Sequence, residues 1–391
     1  MVRAAWECRK RAGTAVDRHL ALALAERARR FHDRHHRAHA RVRAPGRSGD
    51  LRPPDPHREV QGGRLAGNAG RGLHLHGRSF PGRGRMKIVR FLSAAGARVG
   101  LSRDGHVHDL AQISIARNLP WAAPLFADIR AFLASGDRGL ELVEHLTAWT
   151  PFAPKAETEV KLLAPFECGS KILAHVVNYY EHGAEAKLTP PESPFFFYKP
   201  SSAVVNPGEP ILAHPMSKKM DHEVEVAAVI GRVARDVDKK NAYAYIAGYT
   251  VVNDVSYRDF QAMEQYPTLA KRYGKNWTQG KGLDNACPMG PYLVMRDELS
   301  EPYPLQIRCT VNGEVRQLSN TESMIFRIPD LVADISRSMT LYPGDVISTG
   351  TCEGGGVGSG KYLGPGDRVE CYVERVGTLV NTVAAPRKRE D

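Results

Sequence analysis

From Met86 the chain alternates apolar and polar residues in MKIVRFLSAAGARVGLSRDGHVHDL, with Asp104-Gly105 interrupting the alternation. Successive side chains of a strand point to opposite faces, so a period of two marks a half-buried strand. The Asp-Gly pair supplies the positive φ angles of a tight hairpin turn. Between Pro124 and Leu146 the spacing lengthens: Leu125, Ile129, Leu133, Leu140, Leu142 and Val143 fall at helical intervals, interrupted at Gly136. A proline-bearing connector, WTPFAPKAETEVKLLAP, follows. Beyond it the pattern predicts short strands of β-branched residues between Gly, Pro, Asn and Asp breaks, at Val224 to Gly231, Tyr245 to Ser256, Leu305 to Gly313, Asp345 to Gly350 and Arg368 to Gly377. Helices are fewer, at Asn241 to Tyr245, Phe260 to Ala270 and Ile328 to Ser338, and there is no internal repeat. The outcome is a strand-dominated α+β protein with a small N-terminal subdomain over residues 86–161, a main domain over 162–385 and a tail over 386–391.

Residues 1–85 have a different texture, rich in Arg, His, Gly and Pro and without a sustained period beyond a candidate helix near Val16 to Phe31. Such a segment buries too little apolar surface to offset its conformational entropy, and disorder is the expectation. It holds 20 Lys and Arg, 19 of them Arg, against 7 Asp and Glu, so its net charge is +13 in a chain that carries +11 overall. The remainder sits at −2, nearly neutral, and nothing in its charge calls for a nucleic acid partner. Met86 looks like a natural start, with residues 1–85 as a dispensable upstream extension. Rival readings are an Arg-rich organellar presequence and a basic tail for RNA; seven acids and the lack of interleaved aromatics weigh against both.

Six cysteines are scattered without a CxxC pair, as expected of reduced thiols in a cytoplasmic protein. No apolar run approaches the roughly 20 residues of a membrane span, so no membrane partner is expected.

The candidate chemistry begins at DHEVEV, where Glu223 and Glu225 stand two apart at the start of a strand and face the same way, while Val224 and Val226 face the core. Like charges side by side are destabilising unless something neutralises them. The next strand is almost wholly apolar until Asn253-Asp254. If the two strands are neighbours, three carboxylates converge, and an all-oxygen set of this kind suits Mg²⁺ or Mn²⁺, with Ca²⁺ as a further candidate, where zinc would recruit more His or Cys.

An ordered series of motifs covers most of residues 165–383: HEVEVAAVIG, GYTVVNDVSYRDFQ, WTQGKGLD, CPMGPYLV, VNGEVRQLSNTESMIF, LYPGDVISTGT and GPGDRVE. In this order they resemble the fumarylacetoacetate hydrolase family. Upstream, HVVNYYEHGAE is similar to the family's G.NY..H..E segment. The resemblance implies a mixed β-sandwich roll behind a small N-terminal α/β subdomain, a homodimer, and a metal held by Glu223, Glu225 and Asp254. It places His182 and Glu185 as a catalytic dyad, with Lys281 offsetting negative charge and Gln261, Thr351, Arg258 and Lys199 at substrate-contact positions. Spacing supports the dyad, since residues three apart on a helical turn share a face and a carboxylate there orients an imidazole that activates water. Arg258 has a second reading as a structural partner of Asp254 or Asp259, and EAKLTPPESP, from Glu185 to Pro194, is either a lid or an ordinary surface loop.

Three departures bear on specificity. Val176-Val177 precedes Asn178-Tyr179 where the family has Gly and one further residue, Cys352-Glu353 and a glycine run follow Thr351, and the stretch from Gln261 to Lys281 is long. The expected activity is metal-dependent hydrolysis of a carbon–carbon bond in a 2,4-dioxo acid such as an acylpyruvate, in the catabolism of aromatic or other carbon compounds. Alternatives are isomerisation of a 2-hydroxydienoate or decarboxylation of a 2-oxo diacid at the same metal, and a β-rich protein that binds a cation and a small oxo acid without turnover.

Overall fold

The computed structural model describes residues 86–148, 153–185 and 187–385; the expectations for residues 1–85 and 386–391 lie outside them. Strands come first in the chain as β1 Lys87–Ser93, β2 Gly96–Arg103, β3 His106–Asp109, β4 Lys155–Ala156, β5 Lys161–Leu163, β6 Ile172–His175, β7 Phe196–Lys199, β8 Val204–Val205 and β9 Ile211–Leu212. They continue as β10 Met220–Asp221, β11 Val224–Ile230, β12 Ile246–Asn253, β13 Ser256–Tyr257, β14 Cys287–Met295, β15 Gln306–Val311, β16 Glu314–Asn320, β17 Val346–Ser348, β18 Arg368–Val373 and β19 Gly377–Ala384.

A 12-stranded mixed sheet runs in the order β4-β3-β2-β1-β14-β12-β11-β17-β6-β7, with β5 added at β1 and β8 at β14. A second sheet, β16-β15-β18-β19-β9, packs over β11, β12 and β14. This is the strand-dominated α+β sandwich expected from the sequence. β11 is buried along its whole length because sheet neighbours flank it and the second sheet covers it, which is why VEVAAVI is almost continuously apolar. Gly248 of β12 is required by close approach: a Cβ there would collide with the carbonyl oxygen of Val294 on the neighbouring strand.

The Asp104-Gly105 turn joins β2 to β3 with φ angles of 50° and 74°, as the hairpin demanded. β1 pairs with β14, so the segment before residue 162 is fastened to the rest through a shared sheet. Its helical stretch forms three pieces: a 3₁₀ helix Pro120–Ala127, then Ile129–Ala134 capped by Asp128, whose carboxylate accepts from the Arg130 N–H at 2.7 Å, then Asp137–Thr147. Gly136, at φ 57°, makes the last break, where the pattern placed it. The expected helix Phe260 to Ala270 is two helices, Arg258–Gln261 and Pro267–Tyr273, because Pro267 starts a new helix and the chain before it turns through Met263 at φ 55°. Ile328–Ser338 forms as read, and Asn241 to Tyr245 belongs to a 3₁₀ helix, Lys239–Tyr245. Among the described residues no helix is long and apolar enough to cross a membrane.

Candidate active site

Strands β11 and β12 are antiparallel with Val224 opposite Asn253, and the pairing is continued one step beyond the ladder. There the Asp254 N–H donates to the Glu223 carbonyl at 2.9 Å, while the Glu223 N–H donates to the Asn253 side chain at 2.9 Å. These bonds fix the strand ends and bring Glu223, Glu225 and Asp254 together, with ligand atoms all within 4.8 Å of one another. The three are 4%, 1% and 1% exposed, which takes their charges out of water and makes compensation obligatory.

Compensation is uneven. Lys281 donates to Glu223 and, at 2.6 Å, to Asp254; Lys199 donates to Asp254 at 2.5 Å; Arg258 donates to Glu223 and, at 2.8 Å, to Asp221. Among the described residues Glu225 receives only neutral donors, the Ser348 hydroxyl at 2.5 Å and the Gly350 N–H at 2.9 Å. Burial favours protonation of both glutamates, but Arg258 and Lys281 outweigh it at Glu223 and hold that carboxyl well below the usual range. At Glu225 burial is joined by the charges of Asp254 and Glu223, and its carboxyl is pushed up to about 8. The buried set of hard oxygen donors, with one carboxylate lacking a cation, fits a divalent ion of the Mg²⁺ or Mn²⁺ type.

His182 and Glu185 lie on the short helix Tyr180–Glu185. His182 is buried, its Nδ1 is 3.7 Å from Glu185 Oε2, beyond hydrogen-bond length, and that nitrogen has no other partner among the described residues. The Glu185 carboxylate accepts from the Gly354 N–H at 3.2 Å, and a Cβ at Gly358 would collide with it. The glycine run after Thr351 therefore lets the backbone come down onto Glu185. The same loop is fastened to the carboxylate cluster by Asp221, whose carboxylate accepts from the N–H groups of Gly356 at 2.5 Å and Val357 at 3.1 Å and from Arg258.

A cavity of about 80 Å³ is lined by His182, Glu223, Glu225, Arg258, Gln261, Lys281 and Thr351, among others. So most of the residues expected from the sequence face one space. Gln261 accepts from Arg258 at 3.3 Å. Thr351 lines the cavity, but its hydroxyl is engaged inside the fold, donating to the Val224 carbonyl at 2.8 Å and accepting from Gln317 at 2.9 Å. Lys199 is not in the lining: it is fully buried behind Asp254, as an ammonium removed from water must be paired. Arg258 bonds neither Asp254 nor Asp259; Asp259 instead accepts from the Ser217 hydroxyl at 2.7 Å and the Lys218 N–H at 2.8 Å. From the segment after Glu185, Leu188 reaches the cavity while most of its neighbours are exposed.

Sequence reasoning missed Asp221, Gln317 and His175. The signal for Asp221 was its place in DHEVEV, two positions before Glu223 and so on the same face. Gln317 stands in VNGEVRQ, and nothing local announces that its amide reaches Thr351 and the Cys352 carbonyl.

The Fumarylacetoacetate (FAA) hydrolase C-terminal family model matches residues 171–384. A mitochondrial oxaloacetate tautomerase of Rattus norvegicus is 40% identical over 255 residues, covering 64% of this chain and 78% of that protein. The solved 2-hydroxyhepta-2,4-diene-1,7-dioate isomerase from Mycobacterium marinum superposes with a TM-score of 0.57 at 30% identity, over 78% of this chain and 100% of that one. The fumarylpyruvate hydrolase from Pseudomonas aeruginosa, solved in complex with Mn²⁺ and pyruvate, gives 0.50 at 29% identity, over 56% and 91%.

Proposed function

The chain belongs to the fumarylacetoacetate hydrolase family, and from that premise we propose that it is a divalent-metal-dependent enzyme interconverting the keto and enol forms of a small 2-oxo diacid, with oxaloacetate as the first substrate to test. The observation that carries this reading is that His182 stands on the wall of the same cavity as Glu223 and Glu225, with the Glu185 carboxylate 3.7 Å behind its Nδ1. The similarity to a protein named as an oxaloacetate tautomerase points the same way.

Glu223, Glu225 and Asp254 would hold the ion, which when bound supplies Lewis-acid polarisation of a 2-oxo group. His182 would take a proton from the carbon beside that group and return it in the reverse direction, the oxygen gaining a proton in the enol. Glu185, closing from 3.7 Å to hydrogen-bond length, would fix the orientation of the imidazole. The Lys281 ammonium, held above the ordinary lysine value because Asp254 and Glu223 outweigh burial, stays charged and offsets negative charge gathering on the substrate.

Hydrolysis of an acylpyruvate-like 2,4-dioxo acid is the second reading. It is favoured by the similarity to a fumarylpyruvate hydrolase holding Mn²⁺ and pyruvate, and the same imidazole could activate water. The deciding measurement follows the ultraviolet absorbance of enol oxaloacetate with Mg²⁺ or Mn²⁺. Acceleration should vanish on chelation and fall about 100- to 10,000-fold in His182→Ala. Release of pyruvate from acetylpyruvate without acceleration of ketonisation would replace this reading with the second; turnover of neither substrate would leave the binding-protein alternative.

A further inference from the structure

His175, the last residue of β6, lines the same cavity and has no part in the chemistry described so far. It is 4% exposed. Its Nδ1 lies 3.0 Å from the carbonyl oxygen of Ser348, which accepts only, so Nδ1 carries the hydrogen and Nε2 keeps the lone pair in the neutral ring. Burial lowers this imidazole to about 4, so the ring is neutral at physiological pH. Phe196, with its ring centroid 6.1 Å away at a tilt of 53°, packs beside it and limits its rotation. Nε2, the remaining polar atom, has no hydrogen bond among the described residues. The backbone leaves His175 through Val177, a β-branched residue held at φ 51°, and enters the helix that carries His182. Strain of this kind at a cavity wall persists where the surrounding structure enforces it, so the position of His175 relative to the dyad is set by the fold.

A buried acceptor without a donor is unfavourable, and among the described residues no donor reaches Nε2, the hydrogens of Lys281 and Arg258 being directed at acids. A 2-oxo diacid in its keto form at neutral pH also presents acceptors alone. Its enol adds one O–H. We propose that Nε2 of His175 accepts a hydrogen bond from a ligand hydroxyl and thereby favours the enol form of the bound acid. The inference rests on the reading of the site as one for small 2-oxo acids.

The test compares two small acids by calorimetry in the presence of Mn²⁺: glycolate, which carries a hydroxyl donor, and oxalate, which at neutral pH carries acceptors only. In His175→Asn the side-chain amide can still donate to Ser348 while the atom corresponding to Nε2 is gone; His175→Phe keeps the ring and removes both nitrogens. Glycolate affinity should fall about five- to ten-fold in each variant, with oxalate affinity unchanged. On the unmodified chain, the ¹⁵N resonance of His175 Nε2 should shift when glycolate binds and stay in place with oxalate, a readout that survives even if both variants misfold. Parallel weakening of both acids, or an Nε2 resonance indifferent to glycolate, would mean that His175 only shapes the wall. If oxalate does not bind the unmodified chain at all, the reading of the site itself falls, and this inference with it.

Discussion

The two walls of the cavity are built differently. On one, Glu223, Glu225 and Asp254 sit at the paired ends of β11 and β12, almost entirely buried, with backbone bonds fixing the strand ends, Lys281 and Arg258 paired to them along the cavity and Lys199 behind Asp254. On the other, His182 and Glu185 ride on a helix of six residues, 3.7 Å apart, and Glu185 is held by the N–H of a glycine-rich loop. The sheet wall concentrates charge, which demands a low-dielectric, over-determined setting. In the proposed function the loop wall would handle protons, which demands groups that can draw together as a ligand arrives. Loss of a cation on the first wall should therefore cost stability, whereas substitutions at its carboxylates or on the second wall should cost turnover.

The largest departure is expected at Glu225. Glu225→Gln should lower metal-dependent turnover about 1,000-fold or more, since it removes a ligand of the Lewis acid. The urea midpoint of the metal-free variant should be unchanged or raised, because the amide is not repelled by Asp254 and Glu223. Retained activity would mean the ion lies elsewhere. Next in size, Lys199→Met leaves Asp254 with one cation fewer and should destabilise the metal-free chain by about 3–5 kcal/mol in urea unfolding, with a smaller loss when Mn²⁺ is present. Equal losses with and without Mn²⁺ would break the link between this lysine and the ion. The smallest effect belongs to the loop wall. In Gly358→Ala the new methyl meets the Glu185 side chain, which can swing aside by giving up its long bonds to the Gly354 N–H, so kcat should fall about 10- to 100-fold while the urea midpoint stays put. A shift in the midpoint without a change in kcat would erase the contrast between the walls.

Much of the sheet wall was legible in the amino-acid sequence, and for a local reason. Glu223 and Glu225 share a face because strand side chains alternate, and Asp254 ends an apolar run that had to be buried. The loop wall was legible in part: the spacing of His182 and Glu185 placed them on one face of a turn, but the glycines that allow the backbone onto Glu185 looked merely like an altered loop. Lys199 illustrates the limit from the other side. Its motif position suggested a contact with substrate, whereas its depth behind Asp254 follows from β7 pairing with β6 at the edge of the large sheet and from Asp254 arriving there from 55 residues further along the chain.

By itself the sequence determined the strand-dominated architecture, the hairpin at Asp104-Gly105 and the membership of the three carboxylates in one site, because periodicity and turn chemistry act over a few residues. Only the tertiary structure decided which cation neutralises which acid, left Glu225 without one, and turned the neutral ring of His175 toward Ser348. Those outcomes depend on residues tens to hundreds of positions apart meeting in a space from which water is excluded, and there the balance between burial and pairing sets the charge of each group.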